Sequence, residues 1–263
     1  MKRAVGIFLA VLFVALGFLT AGYCSSQKLE VETYAFSVGL GTEWRIAHLS
    51  DLHFPKLGVS EEAILSILSD GDLDAIFLTG DVFDTTAGEE DLRSVGVFFT
   101  RLRRIAPTYA VIGNHEIGSP LYEEYRRLCI MKGVDLLENR SVPLDVGDKK
   151  ILLAGVKDAA RPTMDFRTDE KVDFSILLAH RPELFSAYAE AGFSYCFCGH
   201  AHGGQARFFG RGLYAPDQGL FPSYTSGTYR SGDSTMLVSR GLGDGKNGFR
   251  IFNSYSISVV SFF

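Results

Sequence analysis

Residues 194–205 read SYCFCGHAHGGQ, and how this stretch is read decides the fold. Its first half, Tyr195 to Cys198, has the apolar and aromatic character of a buried strand. Directly after it stand His200 and His202, one residue apart and followed by a glycine pair. An alternating strand would throw both rings to one face, whereas a loop lets them converge on something between them. The chain has only six histidines, so the others are the test.

The pattern recurs upstream. WRIAHLS (44–50) runs into Asp51-Leu52-His53, and LDAIFLT (73–79) runs into GDVFD (80–84). TYAVI (108–112) leads to GNHE (113–116), and FSILLA (174–179) leads to His180. Five of the six histidines thus follow strand-like runs, in company with Asp51, Asp81, Asp84 and Asn114. Between these runs lie helical patterns. SEEAILSILSD (60–70) has Ser60 as N-cap, EEDLRSVGVFFTRLRRI (89–105) is amphipathic, and PLYEEYRRLCI (120–130) and PELFSAYAEAG (182–192) each open on proline. Strands alternating with helices imply βαβ units and a largely parallel sheet, with function at the strands' carboxyl ends. Two hairpins, turning at Gly147-Asp148 and Gly232-Asp233, and a final strand SISVVSFF (256–263) break that rhythm. They predict a second, partly antiparallel sheet packed on the first.

Carboxylates, an amide and imidazoles gathered on one sheet edge are costly unless a cation balances them. Imidazole with carboxylate oxygen suits zinc, iron or manganese, and the absence of thiolates from the set argues against a structural zinc site.

In their order, the blocks DLH, GDVFD, GNHE, a lone histidine and GHAHGGQ resemble the calcineurin-like metallophosphoesterases, over residues 44 to 252. LSDLH behind an apolar amino terminus resembles a membrane-associated bacterial subgroup that includes UDP-2,3-diacylglucosamine pyrophosphatases. The resemblance implies an α/β four-layer α/β/β/α sandwich of two mixed sheets and a pair of divalent metal ions (manganese, iron or zinc). By position, Asp51, His53 and His202 would hold one ion, Asn114, His180 and His200 the second, and Asp81 would bridge them. A water activated between such ions would attack phosphorus in line. The resemblance makes His115 the acid for the leaving group or a donor to the transition state, with Asp84 hydrogen-bonded to it. Glu116 reads as a supporting residue at a helix start and His48 as a packed histidine.

The chain also departs from relatives of that kind. Thr85-Thr86 follow Asp84 where Ser/Thr protein phosphatases carry Arg-Gly, which counts against a phosphoprotein phosphatase. GNHE lacks the arginine of the main UDP-diacylglucosamine hydrolases. Gly243-x-Gly245-x-x-Gly248 is a formal dinucleotide fingerprint, yet FRIFNS follows it and not a helix, so a turn at the pocket mouth is expected. No G-x-S-x-G elbow exists for a serine hydrolase. Arg161, Arg181, Arg230 and Tyr224 are candidates for phosphate or sugar contacts, with surface packing as the alternative.

The chain has 263 residues and a formal charge of −5 with no long Lys/Arg block, which argues against a nucleic-acid footprint. After Met1-Lys2-Arg3 come twenty residues without a charge (4–23), about 30 Å of helix and enough to span a bilayer. Lys2 and Arg3 favour the cytoplasmic side, which puts the remainder on the extracytoplasmic face of the cell membrane. A signal cleaved near Thr20-Ala21-Gly22 is the alternative. The organisation expected is an anchor over 1–23, a linker over 24–30 and one metallophosphoesterase domain over 31–263, acting as a monomer on a phosphorylated small molecule or lipid. Cys24, Cys129, Cys196 and Cys198 are expected as free thiols that pack as small hydrophobes. Two further readings stand beside the phosphohydrolase: a pyrophosphatase of lipid-linked UDP-sugars, and a non-catalytic envelope-binding protein with structural metals.

Overall fold

Alternation in the strands dictates a layered molecule. In WRIAHL, Trp44 and Ile46 belong to one apolar cluster while Ala47 and Leu49 belong to another; in AIFLT, Ala75 and Phe77 part from Ile76 and Leu78 in the same way. A strand buried on both faces needs a layer on each side. The computed structural model describes residues 2–159, 171–245 and 249–263 and shows those layers.

The chain begins with helix α1 (Lys2–Ser26) and strands β1 (Leu29–Phe36) and β2 (Trp44–Leu49), then α2 (Glu61–Ser69) and β3 (Ala75–Thr79). It continues with α3 (Glu89–Ile105), β4 (Thr108–Val111), the single turn α4 (Asn114–Ile117), α5 (Tyr122–Lys132) and β5 (Asp135–Leu136). The hairpin β6 (Arg140–Val146) and β7 (Lys149–Gly155) precedes β8 (Phe174–Leu178), α6 (Phe185–Glu190) and β9 (Tyr195–Cys198). Two small ribbons follow, β10 (Arg207–Phe208) with β11 (Arg211–Gly212) and β12 (Tyr214–Ala215) with β13 (Gly219–Leu220). The hairpin β14 (Gly227–Ser231) and β15 (Ser234–Val238) and the terminal β16 (Tyr255–Phe262) complete the fold.

Two six-stranded mixed sheets result, in the orders β1-β16-β2-β3-β4-β5 and β14-β15-β9-β8-β7-β6. Strands β2 to β5 run parallel in the first, and β7, β8, β9 and β15 run parallel in the second. Three apolar clusters match the three interfaces of an α/β/β/α sandwich. The first packs α2, α3 and α5 on the first sheet, the second fills the space between sheets, and the third packs α6 on the second sheet. Cys196 and Cys198 belong to the third cluster and Cys129 to the first, so these three thiols pack as expected, whereas Cys24 is exposed on α1 and does not.

Local signals set the helices. Ser60 caps α2, its Oγ accepting from the Ala63 N–H at 3.2 Å. In α3, Leu92, Val95, Phe98, Phe99 and Leu102 are buried along one stripe at helical spacing. Both expected hairpins form at their expected turns. The tail strand is the surprise. It inserts between β1, to which it is parallel, and β2, to which it is antiparallel, and so makes the first sheet mixed as well. The amino terminus also differs in detail: α1 continues to Ser26 and β1 begins at Leu29, leaving only Gln27 and Lys28 of the expected 24–30 linker outside an element. α1 is long and apolar enough to cross a membrane.

Candidate metal centre

The carboxyl ends of β2, β3 and β4 in one sheet and of β8 and β9 in the other meet across the sandwich, and every candidate ligand stands just beyond one of them. Asp51, His53, Asp81, His200 and His202 all have positive φ, between 47° and 65°. Non-glycine residues in the left-handed region carry strain that surrounding contacts must hold. These contacts are visible: the Asp51 N–H donates to the Gly80 carbonyl at 3.1 Å, and His53 N–H to the Asp81 carbonyl at 2.9 Å. Both Asp51 carboxylate oxygens accept from the His200 N–H, at 3.1 and 3.0 Å. Gly199 is required by close approach. A Cβ there would lie 1.8 Å from Ser50 Oγ and 2.4 Å from Asp51 Oδ2.

The candidate ligand atoms fall into two adjoining groups. Asp51, His53 and His202 form one: His53 Nε2 lies 3.2 Å from His202 Nε2, which lies 3.5 Å from Asp51 Oδ1. Asp81, His180 and His200 form the other: His180 Nε2 lies 3.1 Å from each of Asp81 Oδ2, His200 Nδ1 and Asn114 Oδ1. Asp81 Oδ2 stands between the groups, 3.8 Å from His53 Nε2. Donors bound at about 2.1 Å to one ion lie roughly 3–4 Å apart, the spacing seen in both groups.

Chemistry decides whether a cation fits. His180 Nδ1 lies 2.7 Å from the Thr79 carbonyl, which only accepts, so that nitrogen carries the hydrogen. His200 Nε2 lies 2.9 Å from Asp217 Oδ2 and donates to it. When both rings are neutral they point lone pairs at one another across 3.1 Å, with Asp81 and Asn114 oxygens facing the same spot. A proton on His180 answers part of this convergence; a divalent cation answers all of it. The arrangement is that of metal-binding histidines, whose second nitrogen is held by a carbonyl or carboxylate.

The electrostatics agree. Burial works to keep His180 neutral, yet Asp81, with Asp51 and Asp158 further away, outweighs it and raises the imidazole well above its ordinary value. Burial likewise opposes ionisation of Asp81, but His180, then His53 and His115, bring it well below the carboxylate range. His53 and His200 are pushed down to about 4 by burial, and His202 falls for the same reason. Burial lifts Asp51 to about 6. Buried carboxylates and imidazoles that perturb one another in this way are groups that could hold a cation.

Other expectations meet the structure unevenly. His115 opens onto the central cavity of about 360 Å³, which Asp81, Asn114, His200, His202, Gln205, Tyr214, Pro216 and Gly245 also line. The hydrogen bond expected from Asp84 to His115 is replaced. Their closest approach is 3.6 Å, and the Thr85 N–H donates to His115 Nδ1 at 3.2 Å. That N–H fixes the neutral tautomer, so His115 carries its hydrogen on Nε2. Asp84 instead caps its own turn, accepting from Thr86 N and Oγ1, and pairs with Lys56 at 3.1 Å. These partners outweigh burial and bring Asp84 down to about 2.

Glu116 is fully buried and supports the site. Its carboxyl accepts from the N–H groups of Asp81 at 2.9 Å, Val82 at 2.5 Å, Phe83 at 3.3 Å and Gly113 at 2.8 Å. Burial and the Asp81 charge push it up to about 8, against the pull of those amides. His48 is packed, with Nε2 2.8 Å from Thr79 Oγ1, and burial lowers it to about 3. Arg181 is enclosed by Asp158, Glu183 and Asp217. Arg230 is exposed on β14, Tyr224 packs on Phe185 and Tyr229, and Arg161 and Gly248 lie outside the described residues. Gly245 does line the cavity mouth. Sequence reasoning missed Asp217, which orients His200, and Asn253, whose Nδ2 donates to the His202 carbonyl at 2.7 Å. Neither sits near a recognisable block, so only contact reveals them.

A family model for calcineurin-like phosphoesterases matches residues 45–204. The chain belongs to that family. This phosphoesterase is thus a hydrolase of phosphoester bonds. It is 26% identical to the uncharacterized metallophosphoesterase YkuE of Bacillus subtilis, over 97% of this chain and 96% of that one. It is 27% identical to the uncharacterized metallophosphoesterase YkoQ of Bacillus subtilis, over 61% of each chain. The phosphodiesterase YaeI of Escherichia coli is 26% identical over 89% of the phosphoesterase and 88% of its own length. Among solved structures, the phosphopantetheinyl hydrolase PptH of Mycobacterium tuberculosis superposes with a TM-score of 0.50 at 13% identity, over 75% of this chain and 89% of that one, a likeness of fold.

Proposed function

We propose that the chain is a binuclear metal-dependent phosphohydrolase that cleaves a phosphodiester or a related phosphoester. Asp51, His53 and His202 would hold one divalent cation, Asn114, His180 and His200 would hold the other, and Asp81 would contact both. The observation that carries this reading is the convergence of His180 Nε2, His200 Nδ1, Asn114 Oδ1 and Asp81 Oδ2 on one spot, with the outer nitrogens of both rings held by the Thr79 carbonyl and Asp217. Such cations supply positive charge for the phosphoryl oxygens and acidify a water.

The chain's own residues do the rest. Asp81 and the Glu116-bound amides fix the floor of the cavity. His115, with its hydrogen on Nε2, can donate a hydrogen bond to a phosphoryl oxygen or to the leaving oxygen as charge develops there. The Thr85 N–H holds the ring in that tautomer. The similarity to the phosphodiesterase YaeI supports a diester, and α1 supports attachment to a membrane, with Lys2 and Arg3 on the cytoplasmic side. A narrower reading, pyrophosphate cleavage in a lipid-linked UDP-sugar, rests on the same helix.

The test is elemental analysis of the full chain purified in detergent, with turnover of bis-p-nitrophenyl phosphate in manganese. Two bound ions and metal-dependent turnover are expected, and Asp81→Ala is expected to lose both. Fewer than two ions after supplementation, or unchanged metal content in Asp81→Ala, would overturn the binuclear assignment.

A further inference from the structure

The ribbons β10–β11 and β12–β13 join the catalytic face to α1, and they carry side chains that a water-facing loop does not explain. Phe209 is fully exposed at 107% of its reference area, Phe221 at 79% and Leu220 at 68%. Phe209 occupies the first central position of a two-residue turn between paired Phe208 and Arg211, at φ 52°, with Gly210 at φ 79°. That turn asks for positive φ at both positions and favours Asn-Gly. A bulky residue there is a backbone outlier. Phe221 repeats the feature at φ 54°.

The position of the ribbon relative to α1 gives these rings an environment. Phe18 of α1 stacks on Phe208, with ring centroids 6.2 Å apart, and tilts against Phe252 at 4.8 Å. Further along, Gly22 is buried: the Phe252 N–H donates to its carbonyl at 2.9 Å, and a Cβ there would lie 2.6 Å from the Ile251 side chain. The helix is thus docked in a fixed register. With Arg3 at one face of a bilayer, Phe18 lies about 22 Å further along the helix, short of the ~30 Å hydrocarbon thickness. A ring stacked on Phe18 then sits about 8 Å inside the far boundary of that layer, close enough for the ribbon beyond it to reach the interface. Phe18, Phe208, Phe209 and Phe252 line a shared cleft of about 340 Å³.

The same segment reaches the cavity. Tyr214 and Pro216 line it, Asp217 orients His200, and Arg207 ties the ribbon to the carbonyls of Gly203 at 2.7 Å and Gly210 at 2.5 Å. We infer that Phe209 and Phe221 form an aromatic rim that enters the interfacial layer of the bilayer crossed by α1, holding the cavity mouth at headgroup level. Exposed Arg211 beside this rim suits anionic headgroups. The inference rests on α1 being retained as a membrane helix. It makes the substrate class of the proposed site amphiphilic, a phosphoester presented from the bilayer surface.

The experiment uses the full chain in vesicles of phosphatidylethanolamine and phosphatidylglycerol whose acyl chains carry bromine, a short-range quencher of tryptophan. Wild type provides the baseline, because its single tryptophan, Trp44, is buried between the sheets. Phe209→Trp and Phe221→Trp are compared with Ile130→Trp, which replaces an exposed residue on α5. Quenching of at least about twofold at both rim positions, with blue-shifted emission, and none at position 130 is expected. A folded rim variant that matches the position-130 control overturns the inference. Quenching does not depend on turnover, so a catalytically inactive chain with quenched rim positions would sink the hydrolase reading and leave this one standing.

Discussion

At the scale of single residues, a proton's position separates a candidate ligand from a packed histidine. His48 and His180 both contact Thr79, but His48 spends Nε2 on the hydroxyl and lies at the sheet interface. His180 spends Nδ1 on the carbonyl and keeps Nε2 free toward Asp81. Asp217 does for His200 what Thr79 does for His180. Asp217→Asn is therefore expected to weaken metal binding about 10–100-fold, read by calorimetric titration with Mn²⁺, while the fold persists. His115→Ala should keep its metal content by elemental analysis and lose about 10²–10⁴ in kcat on bis-p-nitrophenyl phosphate. Equal metal loss in that variant would make His115 a ligand. The blocks around His53, His115, His180, His200 and His202 were legible because each follows an apolar run. Asp217 was not, since it belongs to a loop whose approach to His200 depends on folding.

At the scale of elements, short turns hold the candidate metal face against strain. Helix α4 is one turn long, yet Glu116 at its third position binds four N–H groups from two different loops. Glu116→Ala strands these buried donors and should cost about 3 kcal/mol or more, measured as a fall in the unfolding midpoint. Retention of the wild-type midpoint would show that water replaces the carboxylate. Gly199 makes a similar point at the turn after β9. Gly199→Ala drives a methyl into Ser50 and Asp51 and is expected to lose metal by elemental analysis with a lowered melting temperature.

At the scale of the whole molecule, burial governs reactivity. Burial pushes the Cys129 thiol up to about 12 and raises Cys196 and Cys198 as well, so the thiolate is scarce near pH 8. Alkylation mapped by mass spectrometry should leave these three unmodified in the native protein and modify them after unfolding. Reaction of any of the three in the folded state would contradict the packing of its cluster. Burial also explains why the strands were easy to see and their arrangement was not. A doubly buried strand reads as an apolar run whichever neighbour it has, so SISVVSFF announced a strand without saying that it would lie between β1 and β2.

The sequence by itself determined the strand–helix alternation, the two hairpins, the apolar helix at the amino terminus and the ligand types placed after each strand. These are local properties, written in periodicity and in the residues next to it. Only the tertiary structure decided that the tail completes the first sheet, that Thr85 and not Asp84 holds His115, and that Asp217 and Asn253 steady the histidine loop. Those outcomes depend on which side chains and amides meet across tens or hundreds of positions, and hydrogen bonds in a closed interior go to whichever partner the packing brings within reach.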